Sequence, residues 1–244
     1  MSEGAVGLEA TISAIKRHLD AEEFEAVLPL CSKAAEQRPG AQEIRRCRIF
    51  ALVNLSRWSD ALQACDKEQG TDAEAVSFEK AYCLYRLNRF QEALNALAKG
   101  GAARQAQRAR LEAQVRYRMG DYESCAGMYE KLFANDPEEV GLLVNAAASY
   151  VSSGKARQAY ILLKDREELL DSSYELCFNL ACALIEEAKL GEAQERLHKA
   201  KELCVAELVQ AEEVAEEDTE SIEVHEELAA IHVQLGCVLQ RRGQ

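Results

Sequence analysis

A pair of residues three positions apart recurs six times along this chain at nearly constant spacing, and no other feature constrains the fold as strongly. The clearest copy lies in Ser77 to Leu94, SFEKAYCLYRLNRFQEAL, where Phe90 is followed by Ala93. The other copies are Phe24/Val27, Trp58/Ala61, Tyr122/Cys125, Ala156/Ala159 and Leu190/Ala193. Successive pairs begin 34, 32, 32, 34 and 34 residues apart. A small residue following a bulky one at this spacing lets two helices approach closely.

The stretch around Phe90 is typical of two amphipathic helices joined by a tight polar turn at 87–89. A helix-turn-helix unit with a period of about 34 residues is the signature of tetratricopeptide repeats (TPRs). We therefore predict an all-α protein, a right-handed superhelix made of about six helical hairpins plus a terminal helix. Solenoids of this kind present extended binding surfaces, so the pattern favours a binding module over an enzyme.

The period divides the chain into three predicted segments. Residues 1–208 hold repeats 1 to 6, residues 209–227 form an acidic insertion or loop, and residues 228–244 form the first helix of a further, truncated repeat. The predicted hairpins run over about 8–38, 42–69, 77–94, 103–134, 139–170 and 174–208. Because the pattern stops within a repeat, we expect the chain to be a fragment of a longer protein.

Charge and hydropathy narrow the possible partners. The chain has 42 acidic and 29 basic residues, a net charge of −13, which argues against holding nucleic acid or an anionic membrane by bulk electrostatics. Its amino terminus carries Glu3 and Glu9 and has no apolar core of the signal-peptide type. The most apolar run, Val140 to Val151, is too short for a membrane span and predicts a buried helix. We expect a cytoplasmic protein without membrane insertion.

The sequence has no pattern that indicates catalysis, a cofactor or a metal. Its nine cysteines form no CxxC pair, so they predict free, mostly buried thiols instead of a zinc site or a disulfide framework. The stretch Ser152 to Lys155 departs from a phosphate-binding loop at both flanking positions and reads as an inter-helix turn. His225 and His232 lie seven positions apart, whereas a zinc-protease helix needs four. We predict no catalytic residues.

The first helix of each hairpin is predicted to line a concave groove. In the third hairpin Phe78, Tyr82, Tyr85 and Arg86 fall at i, i+4, i+7 and i+8, which places them on one stripe. Aromatic and arginine side chains carry most of the binding energy at protein interfaces. The candidate partner-binding residues are Arg46, Phe50, Phe78, Tyr82, Tyr85, Arg86, Arg110, Gln114, Tyr117, Arg118 and Phe178. The hypothesis is a groove for a peptide or helix with apolar anchors and acidic residues; the alternative is that several of these aromatics pack between repeats.

Two stretches are more specific than a general repeat. The run 77–94 and ELCFNLACALIEEAKLGEAQERLHKAKELC at 175–204 closely resemble the family of the 72-kilodalton subunit of the eukaryotic signal recognition particle. The acidic insertion and ELAAIHVQLGCVLQ at 227–240 fit the same pattern. The resemblance spans nearly the whole chain and would cover the amino-terminal repeat domain of that subunit.

The resemblance implies a scaffold that supports assembly of the particle and co-translational targeting to the endoplasmic reticulum. In that family the repeat domain binds a carboxy-terminal segment of the 68-kilodalton subunit, and RNA contact belongs to a basic region that this chain lacks, so contact with the particle's RNA would be indirect. Two alternatives stay open. A direct RNA binder is one. The other is an adaptor for chaperone tails, although Ile12 and Lys16 occupy the matching clamp positions of the first hairpin and the full clamp set is missing.

Overall fold

A computed structural model describes residues 3–101, 104–211 and 225–243, and within these ranges every regular element is an α-helix. The chain divides into two compact units, Met1–Met119 and Gly120–Gln244. The first unit contains α1 (Glu3–Asp20), α2 (Phe24–Gln37), α3 (Gln42–Asn54), α4 (Trp58–Asp66), α5 (Thr71–Ala75), α6 (Ser77–Arg86), α7 (Phe90–Ala98) and α8 (Gln105–Arg118). The second contains α9 (Tyr122–Asn135), α10 (Val140–Ser152), α11 (Ala156–Leu163), α12 (Glu167–Leu170), α13 (Tyr174–Glu186), α14 (Leu190–Gln210) and α15 (Glu226–Arg242). The predicted all-α repeat fold is confirmed.

The second helices begin at the residues that the period predicts. They are α2, α4, α7, α9, α11 and α14, and each starts on the first member of a recurring pair. The residue three positions later is completely buried in every case. These six residues, each 0% exposed, are Val27, Ala61, Ala93, Cys125, Ala159 and Ala193. The pairs therefore mark the place where each second helix packs most closely on its neighbours.

The turn inside each described hairpin has the same three-residue length and a positive φ at its middle residue. In the third hairpin the N–H of Arg89 donates to the carbonyl of Leu84 at 2.8 Å, and the N–H of Asn88 donates to that of Tyr85 at 3.0 Å. These two bonds form a Schellman cap, which requires a left-handed residue just after the helix. That residue is Asn88 here, with φ of 58°. At the equivalent positions Glu22, Ser56, Gly120, Gly154 and Ala188 also have positive φ.

Helix α13 is at the centre of the second unit's core. It contacts α10 and α11 on one side and α14 and α15 on the other. The core includes five leucines that are each 0% exposed, Leu143, Leu163, Leu176, Leu197 and Leu228. At about 2 to 3 kcal/mol for each fully buried leucine, such a cluster outweighs the helix propensities themselves. In the first unit, α6 contacts α4 and α7 in the same manner.

The structure differs from the sequence-based boundaries at three places. The first helix begins at Glu3, five residues earlier than predicted. A short helix, α5, occupies 71–75 where a connector was expected. The second helix of the fifth hairpin is interrupted at 164–166 and resumes as α12, where Leu170 packs in the core and is 0% exposed.

The end of the chain carries one further helix. Leu228, Ile231, Leu235 and Val238 of α15 recur every three or four residues and are buried, and α15 contacts α14. The helix ends at Gly243, which has φ of 73° and so matches the left-handed residue of the hairpin turns. Helix α14 continues to Gln210, two residues into the acidic segment predicted at 209–227. Most of that segment, residues 212–224, lies outside the described residues.

Candidate partner-binding face

The first helices of neighbouring hairpins lie side by side in the first unit. Helix α3 contacts both α1 and α6, and α6 contacts α8. Residues at equivalent repeat positions of α3, α6 and α8 are therefore brought into adjacent rows. Ten of the eleven candidate residues lie on these three helices, and Phe178 alone lies on α13 of the second unit.

The first cluster joins α6 to the start of α4. The rings of Trp58 and Tyr82 meet edge to face, with centroids 5.6 Å apart and planes at 78°. The guanidinium carbon of Arg86 lies 4.4 Å from the Trp58 centroid and 5.9 Å from that of Tyr82. Arg86 Nη1 also donates to the Tyr82 hydroxyl at 3.1 Å. We call Trp58, Tyr82 and Arg86 the tryptophan stack.

The second cluster repeats this arrangement one hairpin later. Arg118, the last residue of α8, lies 5.4 Å from the ring centroid of Phe90 and 6.0 Å from that of Tyr85. The two rings are 6.3 Å apart and tilted by 49°. Arg118 Nη2 donates to Asn88 Oδ1 at 3.0 Å. We call Tyr85, Phe90 and Arg118 the phenylalanine stack.

Both stacks face solvent in part. Arg86 and Arg118 are exposed, and Tyr82, Tyr85, Trp58 and Phe90 are half-buried. An arginine held over an aromatic ring gains about 0.5 to 1 kcal/mol at an exposed site, and its side chain is ordered before any partner arrives. The aromatics therefore pack between hairpins, as the alternative interpretation of the sequence held, and still present ring and guanidinium edges to solvent.

Phe50 is the most exposed aromatic of the candidate set. It is 48% exposed, and its ring meets Phe24 edge to face at 5.9 Å. With Arg46 it borders a depression of about 270 Å³ whose floor includes Ile49 and Val76. An exposed ring beside an apolar depression is a suitable anchor point for a partner side chain.

The remaining candidates are less accessible. Phe78 is half-buried beneath Arg104, whose guanidinium carbon lies 5.6 Å from the ring centroid. Arg110, Gln114 and Tyr117 are half-buried on α8. In the second unit, Phe178 packs in part against that unit's core. That any of the eleven residues contacts a partner stays a prediction.

Sequence reasoning did not include the rings that organise the stacks. The sequence identifies Trp58 and Phe90 only as repeat markers, and Asn88 only as a turn residue. A signal was available, because each ring precedes the arginine above it by the same interval, from 58 to 86 and from 90 to 118, which is 28 residues. Spacing inside one helix does not reveal such contacts, because they join neighbouring hairpins.

The described residues provide no metal site, and two of their buried thiols are unreactive. No group of three or more His, Cys, Asp or Glu side chains is placed to hold a metal ion in residues 3–101, 104–211 and 225–243. Burial raises the pKa of the Cys65 and Cys83 thiols to about 12, which keeps both protonated and unreactive near neutral pH. Among the described helices none is both long and apolar enough to cross a lipid bilayer.

Comparison with known proteins shows which proteins this chain is similar to. Residues 37–151 match the family model SRP_TPR_like, described as a TPR-like repeat. Over 237 residues the chain is 28% identical to the signal recognition particle subunit SRP72 of Dictyostelium discoideum, and this alignment covers 96% of this chain and 34% of the relative. It is 29% identical over 243 residues to SRP72 of Homo sapiens, covering 99% of this chain and 35% of the relative. The chain is similar to SRP72 over nearly its whole length. The SRP72 resemblance predicted from residues 77–94 and 175–204 is confirmed, and the chain spans about a third of the length of the SRP72 proteins that it matches.

A solved structure supports the helical repeat fold of this chain. MamA residues 41 to the end, from Desulfovibrio magneticus RS-1, superimposes with a TM-score of 0.61 over 69% of this chain and 96% of that chain. The sequences are 20% identical, so the likeness concerns the helical repeat fold alone.

Proposed function

We propose that this chain is a non-catalytic scaffold of the signal recognition particle, and that its first-helix face captures a carboxy-terminal segment of the 68-kilodalton subunit. Capture would support assembly of the particle in the cytoplasm and its targeting of nascent proteins to the endoplasmic reticulum. The relatives are named as subunits of this particle, which supports the choice of complex. The single observation that carries the binding surface is the pair of arginine–aromatic stacks.

The chemistry of the stacks fits a peptide ligand. Tyr, Trp and Arg are enriched among the residues that dominate interface energies. Here they lie on helices and are held by neighbouring side chains, so little rotamer freedom is lost on binding. Apolar partner side chains would contact the exposed ring surfaces, and acidic ones would contact the guanidiniums. The net charge of −13 supports the expectation that RNA is not the direct ligand of this segment.

Calorimetric titration of the chain with the carboxy-terminal segment of the 68-kilodalton subunit from the same organism tests the proposal. We expect one-to-one binding with a negative heat-capacity change, because apolar surface is buried. Tyr82→Ala and Arg118→Ala should each weaken binding by about 2 kcal/mol, roughly thirtyfold in Kd. Arg48→Ala is the matched control, since Arg48 is exposed on α3 but faces α2 and α4 instead of the stacks.

Two results would contradict the proposal. Absence of heat and of any complex would remove the named function, and a chaperone carboxy-terminal peptide would then be titrated in place of the segment. Tight binding that neither Tyr82→Ala nor Arg118→Ala changes would place the contact elsewhere on the chain. Thermal unfolding of each variant, followed by circular dichroism, separates lost binding from lost structure.

A further inference from the structure

Arg86 and Arg118 occupy equivalent positions in successive hairpins. Arg86 is the last residue of α6 and Arg118 the last of α8, and each precedes the start of the next helix by four residues. Each guanidinium lies over the ring at the start of the preceding hairpin's second helix, at 4.4 Å from Trp58 and 5.4 Å from Phe90. The two side chains are therefore held by the same construction, one repeat apart.

Neither guanidinium is neutralised by a carboxylate in the part of the chain that the structure describes. Arg86 donates to the hydroxyl of Tyr82 and Arg118 to the amide oxygen of Asn88, both neutral acceptors. The nearby Arg89, by contrast, forms two bonds to one carboxylate, at 2.7 and 2.6 Å. A guanidinium carries five N–H donors, so each of the two stacked groups retains several for an incoming ligand.

Stacking also orients these donors. With its flat face on a ring, a guanidinium presents its N–H edges sideways, in the fork geometry that binds a carboxylate through two parallel bonds. Each position lies at the carboxyl end of a helix, where the helix dipole favours a cation. Elsewhere the chain is strongly acidic, with a net charge of −13. An acidic segment would therefore find two oriented cationic groups on this face of a chain whose net charge is negative.

The spacing of the two groups selects a backbone conformation. Helices α6 and α8 are in contact, and the axes of packed helices lie about 8 to 10 Å apart, so we infer a separation of about 9 Å between side chains at equivalent positions. A polyproline II segment rises about 3.1 Å per residue with three residues per turn, so residues i and i+3 lie on one side about 9 Å apart. In a β-strand the nearest same-side residues, i and i+2, are only about 7 Å apart. An α-helix would need i and i+7 to reach about 10 Å on one face.

We propose that Arg86 and Arg118 bind two carboxylate side chains three residues apart in an extended, polyproline II-like segment of the partner protein. The segment crosses α6 and α8, and the exposed parts of Tyr82 and Tyr85 contact the residues between the two acids. This inference rests on the proposed function for the location of the binding face, but it does not depend on which protein supplies the segment.

Synthetic peptides test the spacing directly. Four 15-residue peptides of identical composition carry two glutamates separated by two, three, four or seven positions in a background of proline, leucine and serine. Fluorescence anisotropy with the whole chain at low ionic strength should show that the peptide with glutamates three positions apart binds at least about tenfold more tightly than the others. Arg86→Gln and Arg118→Gln should each weaken that peptide about tenfold and remove the preference, since each deletes one charge-assisted contact. Arg48→Gln makes the same charge change away from the stacks and should leave it intact.

Other outcomes overturn the inference. Strongest binding of any peptide other than the one with glutamates three positions apart would contradict the spacing. Equal binding of the four peptides, or no measurable binding of the peptide with glutamates three positions apart, would show that the two guanidiniums do not act as a spaced pair. Arg86→Lys keeps the charge but loses the planar fork, so it should recover only part of the affinity. Full recovery would mean that charge alone is sensed and would also contradict the inference.

The natural segment distinguishes this inference from the proposed function. If the spaced peptide binds with the expected preference and the 68-kilodalton segment does not bind, the partner named above is wrong and the spacing rule stands. If the segment binds with an affinity that Arg86→Gln and Arg118→Gln leave unchanged, the partner is supported and the spacing rule fails. Unchanged thermal unfolding of both variants shows that lost affinity does not come from a lost fold.

Discussion

Replacing Ala188 with glycine should stabilise the second unit. Ala188 has φ of 57°, in the left-handed region, at the turn between α13 and α14. An L-residue there costs about 1 to 2 kcal/mol, because its Cβ approaches the following carbonyl oxygen. The methyl group is exposed, so its removal loses no packing. The caps stay in place because both bonds are made by the backbone: Ala188 N–H to Ile185 at 3.1 Å and Lys189 N–H to Leu184 at 2.9 Å.

The net gain is smaller than the strain that is relieved. Glycine also gives the unfolded chain more freedom, which costs about 0.4 to 1 kcal/mol. We therefore expect Ala188→Gly to raise the free energy of unfolding by about 0.5 to 1 kcal/mol. With a urea m-value of about 2 kcal/mol per molar, the midpoint should rise by about 0.3 to 0.5 M. Circular dichroism at 222 nm during equilibrium urea unfolding measures this shift.

The matched control is the reverse substitution in the neighbouring turn. Gly154 has φ of 70°, and a Cβ added there meets no heavy atom within 4 Å. Gly154→Ala therefore introduces backbone strain without a steric clash and should lower the midpoint by a similar amount. If Ala188→Gly lowers the midpoint, or Gly154→Ala raises it, the left-handed strain assigned to these turns is wrong.

Three further changes probe packing, charge and ionisation. Ala93→Leu forces three extra carbons into a fully buried helix contact and should cost about 1 to 3 kcal/mol in urea unfolding. Arg45→Gln removes the cation that lies 2.8 Å from Glu68, whose side chain is 5% exposed. It should lower the free energy of unfolding by about 2 kcal/mol at pH 7. The loss is smaller than for a fully buried pair because the Arg45 side chain is 35% exposed. Burial raises the pKa of Cys65 and Cys83 to about 12 in the folded state, whereas an unfolded thiol titrates near 8.5. Between these values only the unfolded chain loses the thiol protons, so the free energy of unfolding should fall as pH rises from about 8.5 to 12. Urea midpoints at pH 7.5 and 10 measure the decline.

Each of the three predictions has a control. Ala98→Leu adds the same carbons at an exposed position of α7 and should leave the midpoint nearly unchanged. Arg45→Gln combined with Glu68→Gln removes the unpaired charge and should recover part of the loss. Replacing Cys65 and Cys83 together with alanine should make the decline at alkaline pH less steep, and part of it should remain because burial also raises the pKa of Cys31, Cys177, Cys182 and Cys204 to about 11. A decline equally steep in that double variant would assign it to other groups.

Much of the fold could be predicted because the repeat leaves a regular trace in the sequence. A residue that lies completely buried between two helices must be small or compact, so Val27, Ala61, Ala93 and their counterparts marked the second helices correctly. The break after α11 could not be predicted, because the residues at 164–166 have no strong helix-breaking character. Beyond the break Leu170 is buried in the core, and tertiary packing of this kind overrides local propensity.

The candidate site was less accessible to sequence reasoning. The stripe Phe78, Tyr82, Tyr85 and Arg86 follows from helical spacing, and the structure places these residues on α6 as expected. Which rings they contact depends on the offset between hairpins, which helical periodicity inside one element does not contain. The period supplies that offset only when residues of different repeats are compared, as the pairing of Trp58 with residue 86 shows.

The constant three-residue turns have a consequence for how this repeat array can change during evolution. The joints between hairpins are not constant: four residues separate α2 from α3 and α9 from α10, six separate α7 from α8, and ten separate α4 from α6 and α11 from α13. Insertions and deletions should therefore be tolerated more easily between hairpins, where α5 and α12 lie in the two ten-residue joints. A residue gained inside a turn would rotate the whole second helix and move its small residue out of register. Length variation among descendants should accumulate at the joints, while the turns change only in residue type.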